Sequence, residues 1–277
     1  RCLVGSEMCI RDRVSLARNI GYVPRSKRAA KARVEFSITG FSESTTSISI
    51  EAGVFANAGI NNTVYTYALP QRILIPVNAE EAVGVVDIFQ GQFLEKEWTV
   101  NLSQPNQRYV LPNDGIDTST LRVYVKESAS STVQTEYKMS DSIVKVTGES
   151  NIFLIQETSD ENYELIFGDG IFGKKLESGN VIKATYIKTN GAEGNGASSF
   201  IFVGSIKDES GASVSGTRAY MRTLIASENG DDIESVQSIR NYAPRRFAAQ
   251  NRAVTATDYE AIPVSYTHLT LPTTLVV

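Results

Sequence analysis

Residues 163–187 read YELIFGDGIFGKKLESGNVIKATYI. An apolar run, Tyr163–Phe167, ends at a cluster of glycines, and a second run rich in β-branched residues follows at Val181–Ile187. Glycine reaches positive φ angles at low cost, whereas Val, Ile, Tyr and Phe favour strands. The segment therefore predicts a hairpin of two strands. Its structural turn positions are Gly168, Asp169, Gly170 and Gly173.

Short strands are also predicted on both sides of this segment. In residues 120–126, TLRVYVK, strict alternation puts Leu121, Val123 and Val125 on one face of a strand. Further runs of this kind, bounded by Gly, Pro or Asn, are Thr63–Tyr67, Arg72–Val77, Val83–Phe89, Glu97–Val100, Arg108–Leu111, Val133–Tyr137 and Ile152–Gln156. Many short strands with regular turns are typical of antiparallel sandwich-like or barrel-like domains.

The first strands of the chain are predicted to form a pair. Val34, Phe36 and Ile38 alternate with polar residues, and so do Ile48 and Ile50. The polar residues 40–45 between them predict a turn that joins the two strands directly.

Helical segments are predicted at both ends of the β region. Apolar residues at helical spacing in Val14–Tyr22, and a capping serine at Ser26, predict two short helices up to Ala30. After about residue 211, helices are predicted at Thr217–Ser227, at Ile233–Ile239 before Pro244, and at Thr255–Ile262. The predicted fold class is α+β, mainly β. Its segments are a helical lead at 14–30, a first β domain at 31–82, a second β-rich domain at 83–210 and a helical segment at 211–262.

The sequences at both ends of the chain resemble translated DNA adapters. Leu3–Asp12 and Val264–Thr273 match third-frame translations of a pair of transposon sequencing adapters. Residues 1–13 and 263–277 are therefore interpreted as adapter artefacts, and the rest as a metagenomic fragment of a longer reading frame. The two cysteines and the single histidine all lie in these terminal segments. The remainder therefore offers no disulfide, zinc site, cysteine nucleophile or Ser-His-Asp triad.

Charge and hydropathy exclude several classes of function. The chain has 27 Lys and Arg against 31 Asp and Glu, a net charge of −4, which is not typical of a nucleic-acid binder. It has no apolar run long enough to predict a membrane span. A basic run at residues 14–33 contains Arg18, Arg25, Lys27 and Arg28 and no acidic residue. Its simplest interpretation is a solvated helix face that meets an acidic neighbour.

Two glycine motifs resemble nucleotide-binding loops only in part. Gly168–Lys174 fits the first seven positions of a phosphate-binding loop, but Lys175 stands where a Ser or Thr hydroxyl is needed, and a strand follows instead of a helix. Gly191 and Gly194 lie after a strand in a β context, with the dinucleotide-binding spacing reversed, and predict a structural loop. Neighbouring acids, as at residues 160–161 and 231–232, are more typical of solvated turns than of a catalytic pair. No catalytic, cofactor or metal site is predicted, and the protein is predicted not to be an enzyme.

Three longer segments, taken together, are more specific. Tyr163–Gly173, Leu176–Tyr186 and Thr189–Asn195 resemble the FGDG…G…G..I.V.Y..T.G..GN pattern of the baseplate J-like family. The run from Glu234 to Glu260, which contains Ala243-Pro-Arg-Arg-Phe247 and Arg252-Ala-Val-Thr, is similar to a second segment of that family. Ser15–Ala32 resembles the lead segment of the large wedge subunit in myovirus baseplates. The three resemblances lie in order and span nearly all of residues 14–262.

The resemblance implies an assembly role. The expected protein is a structural component of the baseplate wedge in a contractile phage tail, located in the virion and assembled in the bacterial host cytoplasm. It would pair with itself and with other wedge proteins, and six wedges would close into the ring that triggers sheath contraction. No cofactor, nucleic acid, membrane or small-molecule substrate belongs to that role.

Two interface surfaces are hypothesised, because Arg and aromatic residues are favoured interface anchors. The lead surface contains Arg18, Arg25, Lys27 and Arg28, and the tail surface contains Arg240, Arg245, Arg246, Phe247 and Arg252. Local pairing of Arg240 and Arg252 with Glu234 and Asp258 explains those two arginines equally well.

Two other classes of function stay open at this point. A carbohydrate-binding module of a tail fibre or adhesin would present exposed rings such as Tyr65, Tyr67 and Phe89. A lysozyme-like enzyme would need two facing carboxylates in a deep cleft.

Overall fold

The computed structural model describes residues 25–41, 45–78, 80–140, 146–158 and 162–249, without the side chains of residues 236 and 245–249. The described residues belong to two compact units. Ser26–Asp232 form a β unit, and Arg25 with residues 233–249 belongs to a smaller helical unit.

The β unit contains seventeen described strands, most of them short. In chain order they are β1 (Lys31–Thr39), β2 (Ser47–Ile50), β3 (Gly53–Ile60), β4 (Thr63–Leu69), β5 (Ile73–Asn78), β6 (Glu81–Gln90), β7 (Gln92–Thr99), β8 (Tyr109–Leu111), β9 (Ile116–Lys126), β10 (Gln134–Met139), β11 (Ile152–Glu157), β12 (Tyr163–Phe167), β13 (Val181–Lys188), β14 (Ile201–Phe202), β15 (Ile206–Asp208), β16 (Ser213–Val214) and β17 (Ala219–Glu228). Two short 3-10 helices lie at Gly191–Gly194 and Gly216–Arg218. The protein is thus mainly β, as the alternating runs predicted.

The first sheet has ten strands, and β6 is its central connection. Along one edge β6 pairs with β1, which in turn pairs with β17. Along the other edge it pairs with β5 near its start and with β4 near its end. The full order is β14-β3-β4-β6-β5-β2-β15-β16, with β1 and β17 branching from β6. The strand β6 thus pairs with three strands at different positions along its length, and it connects both branches of the sheet.

The second sheet has seven strands in the order β7-β13-β9-β10-β11-β12-β8. Its pairs are antiparallel except for β10 and β11, which run parallel. The strand β13 lies between β7 and β9, and most of Val181–Ile187 is buried. A strand with neighbours on both edges and packing on both faces reads as a near-continuous apolar run, which explains that part of the sequence.

Each sheet has its own core. In the first, the rings of Phe36, Phe55 and Phe202 form a triad with centroids 5.0–5.9 Å apart. In the second, the ring of Phe167 contacts Tyr109 and Tyr137 at 5.6 and 5.8 Å. Tilted and edge-on contacts of this kind add to the free energy of burying the rings.

The predicted direct pairing of β1 with β2 is wrong. The strand β1 pairs with β6 and β17, whereas β2 pairs with β5 and β15. The segment 168–180 is likewise not the turn of a hairpin, since β12 and β13 have different partners in the second sheet. In both cases the strands were predicted correctly, and the pairing was decided by residues far away in the chain.

The predicted helix at Thr217–Ser227 is also wrong, because most of this segment is strand β17. Tyr220, Leu224 and Ile225, which suggested a helical stripe, are exposed, while Met221 packs against the first core. Backbone pairing with β1 over residues 219–228 therefore overrode the local periodicity. The helical segment predicted at 211–262 is not supported as a whole, and its part at Thr255–Ile262 lies outside the described residues.

The predicted lead helix is not supported in its described part. Arg28 forms an isolated β-bridge with Asp231 instead of a helical turn. The hydroxyl of Ser26 does not cap a helix, because it contacts the Thr118 hydroxyl at 2.9 Å and accepts a hydrogen bond from the Thr118 N–H at 3.2 Å. The prediction for Val14–Tyr22 falls outside the described residues. Sheet membership also crosses the boundaries at residues 83 and 211, and the domain division itself stays a prediction.

The smaller unit contains one described helix, α1 (Val236–Ala249). Its buried residues Ile239 and Ala243 lie one turn apart and pack with Tyr242. Pro244, predicted to end a helix, lies inside α1. The missing N–H of Pro244 would have bonded to the carbonyl of Arg240, and both residues are exposed, so solvent can satisfy that carbonyl.

Replacing a ring of the first core tests the assignment of that core. We expect Phe55→Ala to lower the free energy of unfolding by about 3–5 kcal/mol, because it leaves a cavity beside Phe36 and Phe202. Val64→Ala is the control, since Val64 is 70% exposed. Urea denaturation followed by fluorescence measures both, and equal losses would contradict the assigned core.

Candidate interaction surfaces

Two residues of the predicted lead surface, Lys27 and Arg28, contact the acidic pair Asp231 and Asp232. In the β unit, the Arg28 N–H donates to the Asp231 carbonyl at 2.9 Å, and the Asp231 N–H donates back at 3.0 Å. The Lys27 Nζ lies 3.8 Å from an Asp232 carboxylate oxygen. An acidic neighbour of the basic run is therefore present within the same unit, and the prediction that these cations form an external interface is untested.

In the smaller unit, Glu234 connects Arg25 to the start of α1. Its carboxylate accepts hydrogen bonds from the Arg25 N–H at 3.0 Å and from the Ser238 hydroxyl at 2.6 Å. Arg240 is exposed on α1. Arg18, Arg252 and the side chains of Arg245, Arg246 and Phe247 lie outside the described part of the chain, so the tail surface stays a prediction.

The loop after β12, which we call the FGDG loop (residues 167–175), closes on its own aspartate. One carboxylate oxygen of Asp169 accepts hydrogen bonds from the N–H groups of Ile171 and Phe172, both at 2.9 Å. Gly170 and Gly173 have φ angles of +96° and +90°, which favour glycine. The donors from Phe172 and Ile171 hold the pKa of the Asp169 carboxyl below its usual range.

The partial resemblance of this loop to a phosphate-binding loop does not extend to its chemistry. The N–H groups of Ile171 and Phe172 are taken by Asp169, and that of Gly170 by the carbonyl of Gly173 at 3.0 Å. The N–H groups of Gly173 and Lys174 donate to the carbonyls of Thr147 and Ser150. A phosphate site needs N–H groups directed at the ligand, whereas these groups are all satisfied within the chain.

The glycine-rich loop after β13, which we call the junction loop (residues 189–196), fastens the two sheets together. The side chain of Gln90, at the end of β6 in the first sheet, is only 2% exposed. Its oxygen accepts hydrogen bonds from the Thr189 hydroxyl at 2.8 Å and the Asn190 N–H at 3.0 Å, and its nitrogen donates to the Asn190 side-chain oxygen at 3.0 Å. Because Thr189 directly follows β13 of the second sheet, one buried amide links both sheets.

The second half of the junction loop binds strands β4 and β17. The carbonyl of Gly194 accepts hydrogen bonds from the hydroxyls of Tyr67 and Ser227, both at 2.7 Å. The Asn195 side chain exchanges two hydrogen bonds with the backbone of Gly230, at 2.9 and 2.8 Å. Burial raises the pKa of the Tyr67 hydroxyl, which stays a donor over the physiological range.

Two glycines of the junction loop have no space for a side chain. Gly191 has a φ of +72°, and a Cβ there would lie 2.6 Å from a carboxylate oxygen of Asp232. A Cβ at Gly194 would lie 2.6 Å from Cγ of Gln90 and 3.1 Å from Cβ of Ala30. Sequence analysis named these glycines as turn residues, but it did not name Gln90, whose role depends on contacts about a hundred residues away.

Asp117, at the start of β9, is a further residue that sequence analysis missed. It is 2% exposed, and its carboxylate accepts hydrogen bonds from the Ala29 N–H at 2.8 Å, the Ser119 N–H at 2.9 Å and the Ser119 hydroxyl at 2.7 Å. A buried carboxylate with several donors is a structural anchor. The local signal was the sequence Asp117-Thr-Ser119, since Asp commonly accepts a bond from the backbone two residues on.

The three rings that suggested a carbohydrate-binding module, Tyr65, Tyr67 and Phe89, are buried or half-buried. Tyr67 is fully buried, and Tyr65 packs against the first core. Within the described ranges, no cluster of three Asp, Glu, His or Cys side chains could hold a metal ion. The helix α1 does not meet the length and hydropathy needed to cross a membrane, and it is the longest one among the described residues.

Comparison with known proteins gives one family match and one curated relative. The family model described as bacteriophage baseplate wedge protein gp6, third domain, matches residues 97–213. The baseplate wedge protein gp6 of Enterobacteria phage T4 is 25% identical over 266 residues, covering 89% of this chain and 39% of that protein. The chain thus spans well under half the length of this relative. Among solved structures, the anti-feeding prophage (AFP) baseplate is similar over 92% of this chain and 46% of that one, with 14% identity and a TM-score of 0.31.

The protein has two β-sheets, and its FGDG loop and junction loop form hydrogen bonds with other parts of the same chain. Residues 97–213 are thus similar to the segment described as the third domain of the baseplate wedge protein gp6, and the similarity to the phage T4 protein extends over most of the chain.

A glycine substitution tests the role of the junction loop. We expect Gly194→Ala to lower the midpoint of urea unfolding, because the new methyl group would collide with Gln90 and Ala30. An overpacked site of this kind costs about 1–3 kcal/mol. Gly59→Ala is the matched control, as a Cβ at that strand position meets no atom within 4 Å. A Gly194→Ala protein as stable as the control would contradict the fastening role.

The titration of Asp169 tests the geometry of the FGDG loop. Its folded-state pKa is depressed, so the turn is favoured above the unfolded value near 3.8 and is lost as the pH falls through the lower folded value. The amide NMR signals of Ile171 and Phe172 should therefore shift with a midpoint below 3.8. The Asp169→Asn variant should not show this transition. A midpoint at or above the ordinary aspartate value would contradict the described hydrogen bonds.

Proposed function

We propose that the chain is a structural part of a phage tail baseplate wedge that works by protein–protein contacts and has no catalytic activity. The observation that carries this proposal is the similarity of residues 97–213 to the third domain of baseplate wedge protein gp6, together with the similarity of the chain to the phage T4 protein. In this proposal the protein is located in the virion, at the tail baseplate, after assembly in the host cytoplasm. Its partners are other baseplate wedge proteins and a second copy of itself within a wedge.

The chemistry of the loops supports an assembly role. The two segments richest in glycine are the FGDG loop and the junction loop. Their N–H groups donate hydrogen bonds within the loops or to neighbouring residues of the same chain. Both loops require close backbone packing, which gives a rigid framework. A rigid framework suits a subunit that must hold its neighbours in a fixed ring and then pass on a rearrangement when the sheath contracts.

Co-expression tests the proposed function directly. The full reading frame that contains this chain should be expressed with the tail proteins encoded beside it. We expect a defined complex with at least one of them and two copies of the wedge protein per complex, measured by light scattering after size-exclusion chromatography. A wedge protein that stays alone with every neighbouring tail protein would contradict the proposal.

The predicted tail surface has its own test in the same assay. We expect the double variant Arg245→Glu, Arg246→Glu to weaken the complex, because it reverses charge at residues proposed to meet acidic partner groups. The control Lys96→Glu, Lys138→Glu makes the same change in charge at exposed strand positions. Unchanged assembly of the first variant would remove this surface from the proposal.

A further inference from the structure

The strand β6 has an unpaired edge in the middle of the first sheet. On one side, β6 pairs with β1 from Glu81 to Phe89. On its other side, β5 pairs only as far as Ala82, and the pairing with β4 begins at Phe89. Among the strands that the structure describes, none pairs with this second side over residues 83–88. We call this second side of residues 83–88 the open edge.

A proline explains why β5 leaves β6 at this point. The Val77 N–H donates to the Thr46 carbonyl at 2.9 Å, on the side of β2. Because these groups alternate along a strand, an N–H at position 76 would face β6, but Pro76 has none. The ladder between β5 and β6 therefore ends there, and Ile73–Pro76 pair with β2 instead.

The same alternation directs backbone groups into the open edge. The Gln90 N–H donates to the Ala30 carbonyl at 2.8 Å, on the side of β1. The N–H and C=O groups of successive residues point to opposite sides of an antiparallel strand. Those of Val85 and Asp87 therefore point away from β1, to the side on which no described strand receives them.

A groove of about 430 Å³ runs along the open edge. Its lining includes Leu74, Val83 and Val85, whose side chains are 67%, 47% and 61% exposed. The buried side chain of Ile75 closes the groove on the side of the core, since a Cβ at Gly84 would lie 3.0 Å from its Cδ1 atom. Exposed apolar side chains and unpaired backbone groups thus occur at the same place.

The open edge lacks the usual protection of an exposed strand edge. Charged side chains, prolines and short length normally prevent such edges from pairing with another chain. The strand β7, at one end of the second sheet, has the exposed charged residues 95–97. The open edge has one charged residue, Asp87, and its carboxylate is already paired with Lys31 at 2.8 Å and Arg33 at 2.7 Å.

We propose that an extended segment of another baseplate protein pairs with the open edge, through the backbone of Val85 and Asp87, and covers the apolar side chains of the groove. This inference rests on the proposed function and adds the place of contact and the form of the partner. Donors and acceptors at strand spacing are matched by another extended backbone, whereas a lipid surface would leave them unpaired.

Two strands of the chain itself fit this edge poorly. Pairing with β7 of a second copy would place the charged residues 95–97 beside the apolar side chains of the groove. The second side of β17 is already occupied, because the Ser227 N–H donates to the Ala197 carbonyl at 2.9 Å and the Gly196 N–H donates to the Ser227 carbonyl at 2.7 Å. A segment of a different protein is therefore the partner that we propose.

Hydrogen exchange of the chain alone, followed by NMR, tests whether the edge is open. We expect the N–H groups of Val85 and Asp87 to exchange roughly tenfold faster or more than those of Gly84 and Val86, which face β1. Equal protection of all four groups would overturn the inference before any partner is added.

The exchange measurement is then repeated with each tail protein encoded beside the full reading frame. We expect one of them to bind and to slow exchange at Val85 and Asp87. Val85→Pro should weaken this complex by roughly tenfold or more, because it removes an N–H that β1 does not use. Val64→Pro is the matched control, since Val64 is 70% exposed and its N–H points away from β3.

A second variant keeps the test decisive if Val85→Pro lowers the midpoint of urea unfolding. The double variant Leu74→Ser, Val83→Ser changes only exposed side chains of the groove and should weaken the same complex by roughly tenfold or more. Undiminished binding of this variant would overturn the inference.

The remaining outcomes separate this inference from the proposed function. A tail protein that binds without slowing exchange at Val85 and Asp87 would overturn the strand pairing and leave the assembly role standing. If no neighbouring tail protein binds, both are overturned. Protection that rises with the concentration of the chain alone would overturn the different protein in favour of a second copy.

Discussion

The structure depends on one buried amide, the side chain of Gln90. It ends β6, the strand that holds three neighbours of the first sheet, and it binds Thr189 and Asn190 at the end of β13 in the second. The next residue, Gly91, has a φ of +141°, and a Cβ there would lie 2.4 Å from the carbonyl oxygen of Lys188. The chain passes directly from β6 of the first sheet to β7 of the second at this glycine. Losing the Gln90 side chain would leave the Thr189 hydroxyl and the Asn190 N–H without these partners, which costs more than the bonds themselves contribute.

This arrangement explains why the FGDG loop and the junction loop contain the residues that they do. In the junction loop, Thr189 and Asn190 bind Gln90, Gly191 and Gly194 leave room for close approach, and Asn195 takes the place of a strand partner for Gly230. In the FGDG loop, the aspartate acts as the internal ligand of its own turn. Glycine-rich sequences that resemble phosphate-binding loops can thus serve backbone packing alone. The distinguishing observation is where the N–H groups point, which the spacing of glycines does not determine.

Local sequence predicted the strands well and their partners poorly. Alternation in Val34, Phe36 and Ile38 identifies a strand because the signal lies within a few residues. It does not reveal that β1 pairs with β17, almost two hundred residues away. The same long-range pairing turned the helix-like spacing of Tyr220, Leu224 and Ile225 into the exposed positions of a strand. Of the candidate site, the glycines of both loops and Asp169 were named as turn positions from local chemistry. The roles of Gln90 and Asp117 were not, since each is defined by donors from distant segments.

The two glycine-rich loops have similar local chemistry, but one has two buried glycines and the other exposes two apolar side chains. The junction loop directs its bonding groups inward, and Gly191 and Gly194 are buried, Gly191 against Asp231 and Asp232 and Gly194 against Gln90 and Ala30. The FGDG loop also satisfies its backbone internally, but its side chains Ile171 and Phe172 point away from the unit. Exposing apolar side chains is unfavourable for an isolated protein, and a flexible loop would fold them onto the surface. The backbone of the FGDG loop is held by its own carboxylate and glycines, and both side chains stay exposed.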